Sequence, residues 1–586
     1  MADNVLLKNR IKRRHARTEI VLDKSLPPIF DKILRQRGLD NIGDISTKAS
    51  DLLHYQDLKD IDIATAVITE AIVKQQTICI VGDFDADGAT STALCMLCLK
   101  DFGHAPEKTQ FIVPNRFDFG YGLTEPVVDM AANQGAELIV TVDNGISSLH
   151  GVAAAKAKNI KVVVTDHHLA GEHLPNADAI VNPNQPGCKF ASKNLAGVGV
   201  AFYLMSAVKT HLLQNGYFEA KGLPVPNLAQ YLDIVALGTV ADVVPLDKNN
   251  RILVHQGLQR IRAKKTRPGI LALLQVANRE ASRLASSDMG FVLGPRLNAA
   301  GRLEDMSVGI HCLLCEDSYE AQRFAAQLDE LNRQRRSIES EMQELAEAAL
   351  SKVSLSSSAE SEPDTPAGIV LYDESFHQGV VGIVAGRIKE KYNTPTVAFA
   401  NESESMLKGS ARSIAGVHIR DVFEAIHRQF PELIAKFGGH AMAAGLSLSK
   451  ANLAQFITAF ENEVARVSAA LPNAQVLLSD GQLPAENIDI DTASLFKLKI
   501  PWGQHFEEPL FDDEFSLIEH RIVGQKHLKM VVQKQGQLFD AIAFNVDTSL
   551  WPNNHIMRVH LAYRLDINEY RGQVSVQLLV QDLSPA

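Results

Sequence analysis

Residues 77–88 read Thr77-Ile78-Cys79-Ile80-Val81-Gly82-Asp83-Phe84-Asp85-Ala86-Asp87-Gly88. A short, near-continuous apolar run enters a glycine and then three alternating aspartates. Such a run predicts a strand covered on both faces, as in a parallel sheet. Two further runs share its form. Glu137-Leu138-Ile139-Val140-Thr141-Val142 leads into Asp143-Asn144-Gly145, and Ile160-Lys161-Val162-Val163-Val164-Thr165 leads into Asp166-His167-His168. Helix-type stretches between them complete βαβ units. In an open parallel sheet, ligands bind outside the carboxyl ends of the strands. The three polar clusters are therefore expected to converge on one crevice.

Several carboxylates that close would repel one another and resist ionising, and divalent cations remove that penalty. Aspartate oxygens and histidine nitrogens without thiolates suit Mn²⁺ or Mg²⁺ rather than structural zinc. So many hard ligands could hold two ions roughly 3.5–4 Å apart, the arrangement that activates water and clamps an in-line displacement at phosphorus. Asp83-x-Asp85-x-Asp87-Gly88 also matches the start of an EF-hand loop, but the twelfth position is Leu94 and a β-run precedes the motif; the calcium loop needs Glu there. Asp143-Asn144-Gly145 alone could be a plain turn, and Asp166-His167-His168 alone a helix cap. A fourth element, Tyr231–Pro245, reads as an apolar helix carrying Asp233 and Asp242. A buried lone aspartate is costly unless paired or metal-bound.

The chain has 586 residues, 46% hydrophobic and 22% charged, so three or four domains of ordinary globular composition are expected. No apolar run reaches the roughly 18–20 residues that span a membrane, and the start lacks the apolar core of a signal peptide. A cytoplasmic protein is the expectation. The net charge of −11 argues weakly against nucleic acid, yet net charge conceals patches. Arg10, Lys12, Arg13, Arg14 and Arg17 form one basic cluster, and Arg333, Arg335 and Arg336 another. The pairs Cys95/Cys98 and Cys312/Cys315 lie in apolar helix-like runs and are read as core cysteines.

The fold class expected is α/β, with a parallel-sheet domain, a long connecting helix, a second α/β domain and a C-terminal all-β barrel. Residues 1–75 read as a mostly helical, polar segment with basic character. The catalytic parallel-sheet domain is drawn over 76–310. A long helix and a Ser/Glu/Pro linker fill 311–366, since 317–352 carry helical periodicity without Gly or Pro. The second α/β module covers 367–465. The β-rich region 470–586 suggests a five-stranded barrel.

In this order, the four acidic elements resemble the DHH phosphoesterase superfamily, named for Asp-His-His, over about 75–450. The resemblance implies that Asp83, Asp85, Asp87, Asp143, His167 and Asp242 hold two cations, with Asp143 the bridging candidate and Asp242 preferred to Asp233. Other members often carry His a few residues before the first acids; here Val81 stands there, and Asp83 is the candidate substitute. His168 is then read as orienting or contacting the scissile phosphate. Pro114–Leu123, with Arg116, and Leu293–Arg302, with Arg296, Asn298 and Arg302, are similar to segments of the RecJ exonucleases within that superfamily. Guanidinium groups among small residues suit phosphate contacts. His377–Ile383, Gly409–Ser413 and Gly438–Gly445 resemble the companion DHHA1-type substrate domain. There Ser410, Arg412, Gly438, Gly439 and His440 are the candidate substrate contacts, His440 also a catalytic candidate beside Asp143 and His168.

The same resemblance implies an oligonucleotide-binding barrel at the C-terminal end. Pro501–Phe511 is similar to a RecJ segment, but His505-Phe506 stands where Gly-Asn is expected. Phe and Trp side chains beside Lys529 or Lys534 are candidates for stacking and phosphate contacts. The implied activity is metal-dependent, 5′ to 3′ hydrolysis of single-stranded DNA to 5′-mononucleotides in recombination and repair. Single-strand DNA-binding protein and a helicase supplying single strands are the implied partners. A phosphodiesterase for short oligonucleotides or cyclic dinucleotides is the first alternative, disfavoured by chain length and the extra C-terminal domain. A non-catalytic replication scaffold is the second, disfavoured because every proposed ligand position carries a competent side chain.

Overall fold

A computed structural model describes residues 9–16, 21–115, 121–356, 366–469, 475–570 and 572–586. The chain divides into two compact units. The first comprises 1–329 and 476–586, and the second, 330–475, interrupts it in sequence.

The first unit opens with β1 (Asn9–Arg13), followed by the helices Pro28–Gln36 and Ile61–Lys74 with short 3₁₀ turns between them. The strand departs from the mostly helical reading of this segment. Five parallel strands follow: β2 (Ile78–Gly82), β3 (Thr109–Ile112), β4 (Leu138–Val142), β5 (Lys161–Thr165) and β6 (Ala179–Val181). They lie in the order β3-β2-β4-β5-β6. Every residue of β2 and β4 is buried, as their unbroken apolar character requires. The chain leaves β2 toward one edge of the sheet and returns to build the other half from β4. The crevice between the carboxyl ends of β2 and β4 is therefore the topological switch point, where open α/β sheets bind ligands.

Helices Ala86–Asp101, Gly197–Gln214 and Leu232–Ala241 pack against one another, and Gly294–Leu303 runs beside the first and third of them. Cys95 and Cys98 are buried in the first, with thiols that burial pushes up, to about 12 for Cys95. Cys312 is buried as well, while Cys315 is only half-buried. The long helix Ser318–Ser356 runs from the first unit into the second.

The second unit carries the strands β7 (Ile369–Tyr372), β8 (Thr396–Asn401), β9 (Met406–Arg412), β10 (Lys436–Gly439) and β11 (Ala443–Ser449), in the order β10-β11-β9-β8-β7. Phe399, Phe423, Phe456 and Phe460 anchor one core cluster of this unit, and Val380, Val384 and Ile388 pack into another with Met342 of the long helix. In the second basic cluster, Arg335 pairs with Glu339 at 2.7 Å. The linker expected before β7 falls largely outside the described residues.

Back in the first unit, β12 (Gln475–Ser479) pairs with β1. A closed barrel follows, formed by β13 (Phe511–Val523), β14 (His527–Lys534), β15 (Gln537–Ala543), β16 (Arg558–Tyr570) and β17 (Gln573–Pro585) in the order β13-β14-β15-β17-β16. Part of the N-terminal basic cluster serves this architecture. Arg13 forks onto Asp512 at 2.7–3.2 Å, Arg14 reaches Glu507 at 3.1 Å, and Arg37 pairs with the buried Asp480. Lys534 likewise binds Asp513 at 2.5 Å and the carbonyl of Leu483 at 2.7 Å. Trp502 is buried, stacks on Phe506 with ring centroids 5.0 Å apart, and donates its indole N–H to Phe496. Neither Lys534 nor Trp502 is thus free for a strand of nucleic acid, because both are consumed in folding the barrel and its approach.

Candidate metal centre

The first-motif acids sit where β2 turns into the helix Ala86–Asp101. Asp85 caps that helix, accepting the backbone N–H groups of Asp87 at 2.9 Å and Gly88 at 3.0 Å. The positive helix end therefore faces the carboxylates. Asp87 turns inward, its oxygens accepting the N–H groups of Gly197 at 2.6 Å and Val198 at 2.9 Å. Gly197 cannot be larger, because a Cβ there would lie 2.6 Å from Asp143 Cβ.

Asp143 follows β4 with φ +61°. Few residues other than glycine, Asn and Asp adopt that conformation. It is held by its neighbour: Asn144 Nδ2 donates to the carbonyls of Val81 at 3.0 Å and Val142 at 2.9 Å, tying together the ends of β2 and β4. After β5, Asp166 is fully buried and works as an anchor. Its Oδ1 accepts from the backbone of His167 and His168 and from His168 Nδ1, and its Oδ2 accepts from Ile146 N at 2.9 Å. Asn184 and Asn182 hold the carbonyls of His167 and His168 at 2.6 and 2.9 Å.

These supports bring the acids and histidines of three strand ends together with the helix end at Asp242. His167 Nε2 lies 3.1 Å from Asp143 Oδ1, 3.4 Å from Asp242 Oδ2 and 4.0 Å from Asp87 Oδ2. Three trios have ligand atoms within 4.8 Å of one another: Asp143, His167 and His168; Asp87, His167 and Asp242; and Asp83, Asp85 and Asp143. Asp143 and His167 each belong to two trios; the two carboxylate oxygens of Asp143 could serve two adjacent cations, whereas the single Nε2 of His167 could serve only one. Asp143 Oδ1 is buried and accepts no hydrogen bond. That atom, in an all-oxygen and nitrogen donor set, fits a hard divalent cation.

The electrostatics agree. Burial, with Asp85 next to it, pushes the Asp87 carboxyl up to about 7 despite its two backbone donors. Burial and the neighbouring aspartates hold Asp143 and Asp242 well above the ordinary carboxylate range. Burial opposes ionisation of Asp166 too, but the bond and charge of His168 prevail and lower it. His168 is correspondingly raised to about 9 against its own desolvation.

Asp233 stands apart from the cluster. It accepts from Thr266 Oγ1 at 2.6 Å, Arg267 N at 3.0 Å and Ile234 N at 2.8 Å, all inside the fold. Asn298 Oδ1 accepts the N–H of Ala86 at 2.7 Å, so it braces the first-motif loop. Arg296, read as a phosphate contact, forms an ion pair with Asp329 at 2.8 Å and reaches the Val292 carbonyl at 2.7 Å. Arg302 lies on the same helix. Arg116 lies outside the described residues. Within the second unit, Ser410 and Arg412 lie on β9 and Gly438 and Gly439 on β10, with β11 between the two strands and His440 in the turn after β10. Arg412 donates to Ser410 Oγ at 3.0 Å, its strand partner is Ala443, and His440 N donates to the Ala443 carbonyl at 2.8 Å. Gly439, at φ +139°, lies where a Cβ would press on Ala443 and Ala444.

Asp166, Asn144, Asn182, Asn184 and Tyr121 are supporting residues that the sequence reading does not single out. Tyr121 donates to the Asp143 carbonyl at 3.2 Å and lies 3.2 Å from His168 Nδ1. Asp166 carries a signal, since it is the first letter of Asp-His-His. The asparagines carry none beyond following a strand.

Comparison with known proteins accords with this geometry. Residues 77–239 match the DHH family N-terminal domain, 366–466 the DHHA1 domain and 479–582 the RecJ OB domain. The single-stranded-DNA-specific exonuclease RecJ of Dickeya dadantii (strain 3937) is 52% identical over 576 residues, 98% of this chain and 99% of that protein. The chain belongs to the RecJ family. The crystal structure of RecJ in complex with Mn²⁺ from Thermus thermophilus superposes with a TM-score of 0.75 at 28% identity, covering 96% of this chain and 76% of that one. RecJ from the same organism in complex with Mg²⁺ gives 0.70 at 27%, covering 96% and 75%. The parallel-sheet domain, DHHA1 domain and closed barrel expected from sequence are thus those of RecJ. Among the described residues no helix is long and apolar enough to cross a membrane.

Proposed function

We propose that this chain is a divalent-metal-dependent exonuclease that degrades single-stranded DNA from 5′ to 3′, releasing 5′-mononucleotides. The observation that carries the reading is the set of three overlapping ligand trios at the switch point, in a chain half identical to a single-stranded-DNA-specific exonuclease. Asp83, Asp85, Asp87, Asp143, His167 and Asp242 would hold two Mn²⁺ or Mg²⁺ ions, Asp143 bridging them. When bound, such a pair supplies a water nucleophile at neutral pH and neutralises charge on the phosphate. His168, its Nδ1 held by Asp166, would offer its other ring nitrogen to a phosphate oxygen as negative charge develops there. Asp166, Asn182 and Asn184 hold His167 and His168 in register for that contact. Arg116 and Arg302 are assigned to the DNA backbone. In the DHHA1-type domain, Ser410, Arg412, Gly438, Gly439 and His440 bind the substrate phosphates, guanidinium and backbone N–H groups matching their oxygens. Arg296 and Asn298 act indirectly, by holding the helix that faces the metal loop.

The domains assigned are 1–75, 76–310, 311–366, 367–465 and 470–586, as drawn from the sequence. The setting is cytoplasmic DNA recombination and repair, with single-strand DNA-binding protein and a helicase as partners. The test incubates the protein and Mn²⁺ with long single-stranded DNA labelled at the 5′ or the 3′ end, and with blunt duplex. Early release of mononucleotide from the 5′ label alone, lost in Asp143→Ala, is expected. Release from the 3′ label, or equal cutting of duplex, would overturn it.

A further inference from the structure

Asp242 ends the helix Leu232–Ala241, and the next residue, Val243, occupies the first position past the cap with φ +61°. Helices end there in the left-handed conformation most often with glycine, sometimes with asparagine. A β-branched residue at that φ is an outlier. Such strain persists only where the surroundings impose it, and it clusters at functional sites. The surroundings here are tight: the following backbone is clamped by Asn250 Nδ2 on the Pro245 carbonyl at 3.0 Å, Arg251 on the Leu246 carbonyl at 2.9 Å, and the Gln504 carbonyl on Leu246 N at 2.9 Å. Yet Val243 is not buried in exchange for that strain, since it is 61% exposed.

A second oddity flanks the same turn. Residues Met289–Leu293 form a π-helical turn, a rare conformation found mostly at functional sites. The turn packs on the end of the Asp242 helix: a Cβ on Gly290 would lie 3.3 Å from Val240 Cγ1, and one on Gly294 3.0 Å from Ala241 Cβ. Phe291, between them in sequence, is 79% exposed. Two large apolar side chains are thus held out to solvent, both on backbone packed around the last turn before a residue of the metal cluster.

We propose that Val243 and Phe291 form an apolar rim of the metal centre that grips the base and sugar faces of the unpaired nucleotides flanking the scissile phosphate. Every base has an apolar π-face, so such a grip is indifferent to sequence, and paired bases hide those faces in their stack. The rim accordingly favours single strands. The inference rests on the reading of this chain as a single-strand nuclease.

The test compares wild type, Val243→Gly, Val243→Asn and Phe291→Ala with Mn²⁺. Glycine and asparagine accept the left-handed conformation, so a purely structural Val243 predicts an unchanged or higher Tm and unchanged kinetics. The rim predicts unchanged Mn²⁺ affinity and Tm no lower, but KM for single-stranded DNA raised about fivefold or more. On an oligonucleotide with abasic sites at its 5′ end, wild type should lose that factor and the variants should lose no more. Unchanged KM in both Val243→Gly and Phe291→Ala, or equal losses on abasic and base-bearing strands, would overturn the rim. Absence of hydrolysis by wild type would instead overturn the underlying activity.

Discussion

His168 Nδ1 donates to Asp166 Oδ1 across 2.7 Å, and the same oxygen takes the backbone N–H groups of His167 and His168 at 2.7 and 3.0 Å. One buried carboxylate thereby fixes both the ring of His168 and the backbone of His167, whose ring lies among the clustered acids. Partners of this kind orient ligands and raise their basicity, and their loss costs about 10–100-fold. Asp166→Asn keeps the shape but not the charge. The expected outcome is a fall in kcat of about that size with KM for DNA little changed, measured by steady-state kinetics on a labelled oligonucleotide.

The crowded acids make a pH prediction for the metal-free protein. Asp87 has a folded pKa of about 7 against an ordinary 3.8, and Asp143 and Asp242 are raised too. The folded state therefore binds more protons than the unfolded one between those values. Stability is lost as pH rises from about 4 through 7, by an amount on the order of a few kcal/mol. His168, raised from 6.5 to about 9, adds a loss in the same direction between those values. Mn²⁺ substitutes for the protons, so the Tm gained on adding Mn²⁺ to EDTA-treated protein should be larger at pH 8 than at pH 5.5. Scanning calorimetry at the two pH values checks this.

Removing a carboxylate should stabilise the protein while disabling it. Asn tolerates the left-handed conformation of residue 143, and Asp143→Asn deletes one buried charge. The Tm of the metal-free variant should rise by a few degrees. Activity should fall by a factor on the order of 10³ or more, the trade expected of a site strained for function. Titration calorimetry should show weakened Mn²⁺ binding.

Asp233 and Asp242 should separate cleanly. Asp233→Ala abandons three buried donors and should destabilise the fold by about 2–4 kcal/mol in denaturant melts, while the folded fraction still binds Mn²⁺. Asp242→Asn, which like Asp143→Asn removes a carboxyl crowded by its neighbours, should not lower the metal-free melt and should weaken Mn²⁺ binding.

Asn298→Ala leaves the Ala86 N–H without its acceptor and loosens the loop carrying Asp83 and Asp85. Mn²⁺ affinity is expected to fall about 10–100-fold, with KM for DNA unaffected at saturating metal. A rise in KM instead would return Asn298 to the substrate-binding role read from its sequence.

The parts of the protein legible in sequence are those with local causes. β2, β4 and β5 announce themselves because strands buried on both faces must be continuously apolar, and their polar ends then mark the crevice. The barrel is legible as a density of β-runs, and the long helix as a stretch without breakers. What escapes depends on partners far along the chain. The ion pair of Arg296 with Asp329 is one such contact, and that of Lys534 with Asp513 another. Asn298 is 212 residues from the amide it serves. β1 cannot be foreseen, because the strand that completes it lies more than 450 residues later.

That clasp sets synthesis against assembly. Arg13 and Arg37 leave the ribosome 499 and 443 residues before their carboxylates, Asp512 and Asp480. The inserted unit, 330–475, has its own cores and can fold in the interval, whereas the unit around it waits for its returning segment, 476–586. Long-range closure of this kind is slow. A nascent chain therefore holds its clustered acids in a domain not yet locked. Deleting the segment that carries Arg13 and Arg37 should leave the buried Asp512 and Asp480 without their cations, and deleting 476–586 should leave the two arginines without their acids, so both deletions should loosen the first unit.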